Sequence, residues 1–148
     1  MANGVLFLCT GNYYRSRFAE IVFNALAAET GVDWRAESRG LALETGTNNV
    51  GPMSTEAVTA LKQRDISSAD VERYPIQVEE KDLEGADLII ALKASEHREY
   101  VSQRHPGWID SVEYWDITDV VPSATYDPLA EIEMEVRRLM QRLSTGKP

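Results

Sequence analysis

A chain with one cysteine, two histidines and fewer basic than acidic side chains leaves few chemistries open. Cys9 alone cannot close an internal disulfide, and with only His97 and His105 beside it no Cys/His metal cluster can be assembled. A carboxylate metal site has no support in the sequence, and neither a metal nor a cofactor is expected. Long apolar runs are also missing. The run near the start is too short for a signal peptide or a membrane span, so no membrane partner is expected and the cytoplasm is the expected location. With 15 Lys and Arg against 24 Asp and Glu, the formal net charge is −9. That balance argues against nucleic acid as a partner, because backbone binding needs Lys/Arg patches. Any phosphate site must be built locally, against the field of the whole molecule.

What is present is an ordinary soluble composition, 43% hydrophobic and 26% charged over 148 residues, enough for one core. One domain over residues 1–148 is expected. "GVLFLCT" reads as a strand buried on both faces, and "SRFAEIVFNALAAET" as a helix with Gly31 as its stop. "VDWRAES" repeats the strand, and "STEAVTALKQRD" the helix, with Ser54 as candidate N-cap. "ADLIIAL", "KASEHREYVSQ", "DSVEYW" and "DPLAEIEMEVRRLMQRL" continue the alternation. Strands alternating with helices predict an α/β fold of right-handed βαβ units, with ligands outside the carboxyl ends of the strands. Cys9 falls at one of those ends.

The segment "CTGNYYRS" can therefore hold an anion. Amides of a loop leading into a helix favour a thiolate and cradle phosphate oxygens. Arg15 closes such a cradle with a planar fork of donors. Gly11 is expected to take a left-handed turn that Asn12 holds through its side-chain amide, and the Ser16 hydroxyl can reach the Cys9 sulfur. Thr10, Tyr13 and Tyr14 complete the loop. The two tyrosines are candidates for an aromatic substrate wall or for simple packing on the neighbouring helix.

"VLFLCTGNYYRSRFAE" resembles the phosphate-binding loop of the low-molecular-weight protein tyrosine phosphatases and of the related thioredoxin-coupled arsenate reductases. The resemblance implies a three-layer α/β/α fold with a four-stranded parallel sheet in order 2-1-3-4. It also implies Cys9 as a nucleophile forming a phosphocysteine, Arg15 as the phosphate ligand, and Asn12 and Ser16 as loop organisers. Two positions depart from the family pattern: Tyr14 stands where a second cysteine is usual, and Arg17 where proline is usual. Arg17 reads either as an extra charge at the mouth or as a solvated helix residue.

The general acid has competing candidates. The family's aspartate lies in a late loop, usually before proline. Asp119 lies just past the fourth strand and is the first candidate. Asp127 has its proline but also reads as the N-cap of the last helix, and Asp116 is third. Asn48 and Asn49 fall where family phosphatases often place an aromatic wall, and their polarity weighs against a strong phosphotyrosine preference. Ser38 and Arg39 either support the loop or lie at the surface. The tryptophans Trp34, Trp108 and Trp115 read as core. His97 and His105 read as solvated, and the acidic run at Glu79, Glu80, Asp82 and Glu84 as a helix face in water.

The leading function is a phosphomonoesterase acting on a phosphorylated protein or small phosphate ester, with inorganic phosphate or another oxyanion fitting the same loop. Two other functions stay open: a phosphate- or phosphoprotein-binding module without turnover, and an arsenate reductase using external thiols.

Overall fold

The computed structural model describes residues 3–46, 48–117 and 127–146. Four parallel strands form one sheet: β1 (Asn3–Cys9), β2 (Trp34–Gly40), β3 (Leu88–Ala91) and β4 (Val112–Tyr114), in the order β2-β1-β3-β4. Among the described residues five α-helices surround it: α1 (Arg15–Thr30), α2 (Thr55–Gln63), α3 (Glu80–Glu84), α4 (Ala94–Arg104) and α5 (Pro128–Ser144). The expected fold class and strand order are both observed.

The alternation of side chains along β1 builds the three layers. Val5 and Phe7 join the cluster containing Phe18, Val22 and Phe23 of α1 and Ile132 and Val136 of α5. Leu6 and Leu8 point the other way, to Leu83 of α3, Val101 of α4 and Val112. A strand in the middle of a parallel sheet has helices on both faces, which is why its sequence is a continuous apolar run. Trp115 is core, its ring 5.7 Å from that of Phe7, whereas Trp34 and Trp108 are only partly buried against the two clusters.

Local signals set the helix ends. Gly31 closes α1 in the left-handed region at φ 75°, its N–H returning to the Ala27 carbonyl. The Ser54 side chain caps α2 through the Ala57 N–H. Asp127 caps α5 with Pro128 in the first turn, its carboxylate accepting from the amides of Leu129 and Ala130.

Three surface assignments made from the sequence need correction. His97 is fully buried, because α4 turns it against the chain at Lys93, whose N–H donates to its Nδ1 at 2.9 Å. His105 is half-buried, with Nδ1 3.7 Å from Glu80. The acidic run is only partly a water-facing surface: Asp82 lies in a largely buried ion pair with Arg39 at 3.5 Å.

In-register pairing brings the carboxyl ends of all four strands to one edge. Cys9 lies opposite Gly40, and the neighbouring pairs are Leu8 with Ala91 and Ala91 with Tyr114. Gly40 is required there. A Cβ on it would come 2.9 Å from the Thr10 carbonyl oxygen and would also meet Leu43.

Candidate active site

β1 delivers Cys9 to that edge, residues 10–14 turn, and α1 begins at Arg15. The loop floors a cleft of about 410 Å³ lined by Cys9, Thr10, Gly11, Tyr13, Tyr14 and Arg15. Its other walls include Asn49, Glu56 of α2 and Glu96 of α4. Cys9 is buried and is the free thiol of the chain.

The Cys9 sulfur lies 2.9 Å from Ser16 Oγ. Ser16 in turn accepts from Asn12 Nδ2 at 2.8 Å, and its own proton is free to serve the sulfur. Asn12 thus lies within hydrogen-bond reach of Ser16, and Ser16 within reach of the sulfur. The left-handed residue is not Gly11, however, but Asn12, at φ 51°. Asparagine tolerates that region, and here its amide is fully used. Nδ2 also donates to Ser38 Oγ at 3.0 Å, and Oδ1 accepts from Arg73 and from the Ile76 N–H, both at 3.0 Å.

Behind the loop lies a buried polar cluster that the sequence only partly revealed. Ser38 Oγ donates to Glu20 Oε1 at 2.6 Å and accepts from Arg73 at 3.0 Å. Ser38 is thus a loop support and not a surface residue, while Arg39 turns to the Ser38 carbonyl and Asp82. Burial pushes the Glu20 carboxyl above its usual range, against the opposing pull of Ser38 and Arg73.

Arg17 fits neither of its expected roles. It is 0% exposed and donates to four main-chain carbonyls: Asn12 at 3.3 Å, Pro52 at 2.9 Å, Asp70 at 2.7 Å and Arg73 at 2.6 Å. Burial lowers its pKa to about 10, which leaves it charged at neutral pH. It is a strut under the loop, away from the mouth.

Arg15 is nearly buried, with one guanidinium nitrogen 3.3 Å from the Ile117 carbonyl and the other 2.7 Å from Glu96 Oε2. Glu96 is a site residue that the sequence reasoning missed. The Thr10 hydroxyl also donates to it, and His97 Nε2 lies 3.1 Å away. His97, Arg15 and Thr10 together hold its carboxyl far below the ordinary range despite some burial. A signal existed: β1 and β3 are neighbours in the sheet, so the loops after them face one crevice, and "KASEH" follows β3.

Tyr13 and Tyr14 both line the cleft, and the Tyr13 hydroxyl donates to the Val50 carbonyl at 2.6 Å. Asn49 lines it and Asn48 does not. Asp127 is exposed and occupied with its N-cap bonds, and Asp116 is exposed with its backbone bridged to Lys93. Asp119 lies outside the described residues. Among the described residues, no cluster of three or more His, Cys, Asp or Glu could hold a metal, and no helix is long and apolar enough to cross a membrane.

A family model described as "Low molecular weight phosphotyrosine protein phosphatase" matches residues 4–147. The chain is similar to the low molecular weight protein-tyrosine-phosphatase YfkJ of Bacillus subtilis, 37% identical over 92 residues, covering 61% of this chain and 56% of that relative. It is also similar to a protein-arginine-phosphatase of Bacillus subtilis, 28% identical over 108 residues, covering 73% of this chain and 67% of the other. A crystal structure of a low molecular weight protein tyrosine phosphatase from T. tengcongensis superposes with a TM-score of 0.78 at 29% identity, over 95% of this chain and 99% of that one.

Proposed function

Since the chain belongs to the low molecular weight phosphotyrosine protein phosphatase family, we propose that it is a cysteine-dependent phosphomonoesterase acting on phosphorylated protein. The observation that carries this reading is the Cys9 sulfur at the floor of the cleft, with a Ser16 hydroxyl 2.9 Å away and Arg15 lining the same space.

In the proposed reaction the Cys9 thiolate attacks phosphorus. An S–P bond forms, the ester P–O bond breaks, and an aspartic acid gives its proton to the leaving oxygen. The same carboxylate then takes a proton from water, which displaces Cys9 and releases inorganic phosphate. Loop amides ahead of α1 and the Arg15 guanidinium carry the phosphoryl charge, so the scheme calls for no metal. Asp119 is the first candidate for the acid. Asp127 would have to give up its two N-cap hydrogen bonds to serve, which supports that order.

Tyr13 and Tyr14 favour an aromatic ester. A second substrate class, phosphoarginine, is favoured by a separate observation: Glu56 puts a carboxylate in the cleft, and a guanidinium leaving group carries the complementary charge. Arsenate reduction is not favoured, because passing a disulfide along needs further cysteines and the chain has one. A free cysteine nucleophile works in a reducing compartment, which supports the cytoplasm as its place of action.

The test is hydrolysis of p-nitrophenyl phosphate, a phosphotyrosine peptide and a phosphoarginine peptide by wild type, Cys9→Ser, Asp119→Asn and Asp127→Asn. Turnover lost in Cys9→Ser, and sharply reduced in one aspartate variant alone, is the expected result. Oxyanion binding with no turnover of any of the three by the wild type would favour a binding module instead.

A further inference from the structure

Of the two carboxylates in the cleft, Glu96 is the one that touches the phosphate-binding residues. Its Oε2 accepts from Arg15 at 2.7 Å and from the Thr10 hydroxyl. The side chain remains 33% exposed and shares the cleft with Cys9. His97 fixes it from behind. Because the His97 Nδ1 accepts from the Lys93 N–H, the ring proton of the neutral imidazole sits on Nε2, 3.1 Å from the carboxylate. These donors keep Glu96 ionised. With Cys9 as a thiolate, Cys9, Glu96 and Arg15 sum to one negative charge at the place where a phosphate dianion must sit.

Resting on the phosphatase reading above, we propose that Glu96 is a specificity-determining residue of the phosphate cradle. Its carboxylate shares Arg15 with the phosphoryl group and weakens the hold on inorganic phosphate and ground-state dianion more than on the transition state. In the loose transition state of phosphoryl transfer, charge moves toward the leaving oxygen and away from the region beside Arg15. A fixed negative charge near the three terminal oxygens therefore costs most in the substrate and product complexes. Phosphate, the final product, is also a competitive ligand of the same loop, and Glu96 speeds its departure.

Glu96→Gln tests this, since the amide oxygen still accepts from Arg15 and Thr10 and only the charge is lost. Two quantities are read: the competitive inhibition constant of inorganic phosphate in the Cys9 enzyme, and its dissociation constant by calorimetry in Cys9→Ser against Cys9→Ser/Glu96→Gln. Two unit charges about 4 Å apart interact by about 1 kcal/mol even at the dielectric of water, so phosphate should bind about fivefold tighter or more in the variant. KM for p-nitrophenyl phosphate should fall without a rise in kcat.

A residue that merely props Arg15 leaves phosphate binding in the variant unchanged or weaker, and either result overturns the proposal. Should Glu96→Gln fail to fold by urea denaturation, Glu96→Met, similar in length and uncharged, is measured in its place, and tighter phosphate binding is again the expected result. If the wild type hydrolyses no phosphate compound yet phosphate binds tighter in the variant, the phosphatase reading fails and this assignment stands. If the wild type turns over and phosphate binds no tighter, only this assignment fails.

Discussion

Asn12 donates to Ser16 at 2.8 Å, and the same Ser16 hydroxyl lies 2.9 Å from the Cys9 sulfur, within reach to donate to it as a thiolate. One side chain thus takes the left-handed turn and braces the hydroxyl beside Cys9. Ser16→Ala should lower kcat about tenfold to a hundredfold, the value of one hydrogen bond to a charged group. Asn12→Gly keeps the φ of 51° accessible but loses four hydrogen bonds, and should cost at least as much. Gly11→Ala, whose new Cβ meets Asn49 at an ordinary 3.4 Å, should be the milder change. Steady-state rates on p-nitrophenyl phosphate rank the three, and Gly11→Ala falling below Asn12→Gly would put the left-handed turn at the wrong residue.

Arg17→Met should destabilise the fold by about 3 kcal/mol or more, because it takes a buried cation away from four main-chain carbonyls at once. The urea midpoint measures this. Arg17→Lys, which keeps charge but lacks the fork, should recover only part of the loss. A surface role for Arg17 would leave the midpoint unchanged.

The two carboxylates Glu96 and Glu20 should respond to pH in opposite directions. Glu96 is held below the ordinary 4.5, so the stability it contributes is present above that pH and is lost as pH falls from about 4.5 toward its lower folded value. Glu96→Gln should flatten the acid side of the stability curve. Glu20 is pushed above 4.5 by burial, so its contribution declines as pH rises through the raised value. Glu20→Gln should therefore gain on the wild type as pH rises above 4.5. Thermal melts from pH 3 to 8 read both, and parallel curves for either variant would refute that assignment.

With one cysteine in the chain and Tyr14 beside Arg15, an oxidised Cys9 has no thiol of its own chain to trap it as a disulfide. Sustained peroxide should carry Cys9 beyond sulfenic acid, and dithiothreitol should restore only a minor part of the activity. Mass spectrometry should then find Cys9 two or three oxygens heavier. Full recovery of activity would count against this.

Most of the fold was legible because burial writes itself into periodicity. The run at Val5 to Cys9 marked a strand with helices on both sides, and Gly31, Ser54 and Asp127 marked helix ends through chemistry that acts within four residues. The loop was legible for the same local reason. Arg17, His97 and Glu96 were not. Arg17 and Glu96 have their roles fixed by segments far away in sequence: Arg17 by carbonyls at 52, 70 and 73, and Glu96 by Thr10 and Arg15. A charged residue on a helix looks alike in sequence whether water or four carbonyls surround it. The left-handed turn was assigned to Gly11 because glycine is the usual solution, and the amide partners that let Asn12 take it are contributed by residues 16, 38, 73 and 76.

The strut at Arg17 grips only main-chain oxygens, and even Pro52 supplies one. Substituting the side chain at Pro52 or Asp70 leaves that grip intact, whereas adding or deleting one residue between 52 and 73 pulls an acceptor out of reach. The grip on Arg17 is thus indifferent to spelling at Pro52 and Asp70 but sensitive to the length of chain between its acceptors.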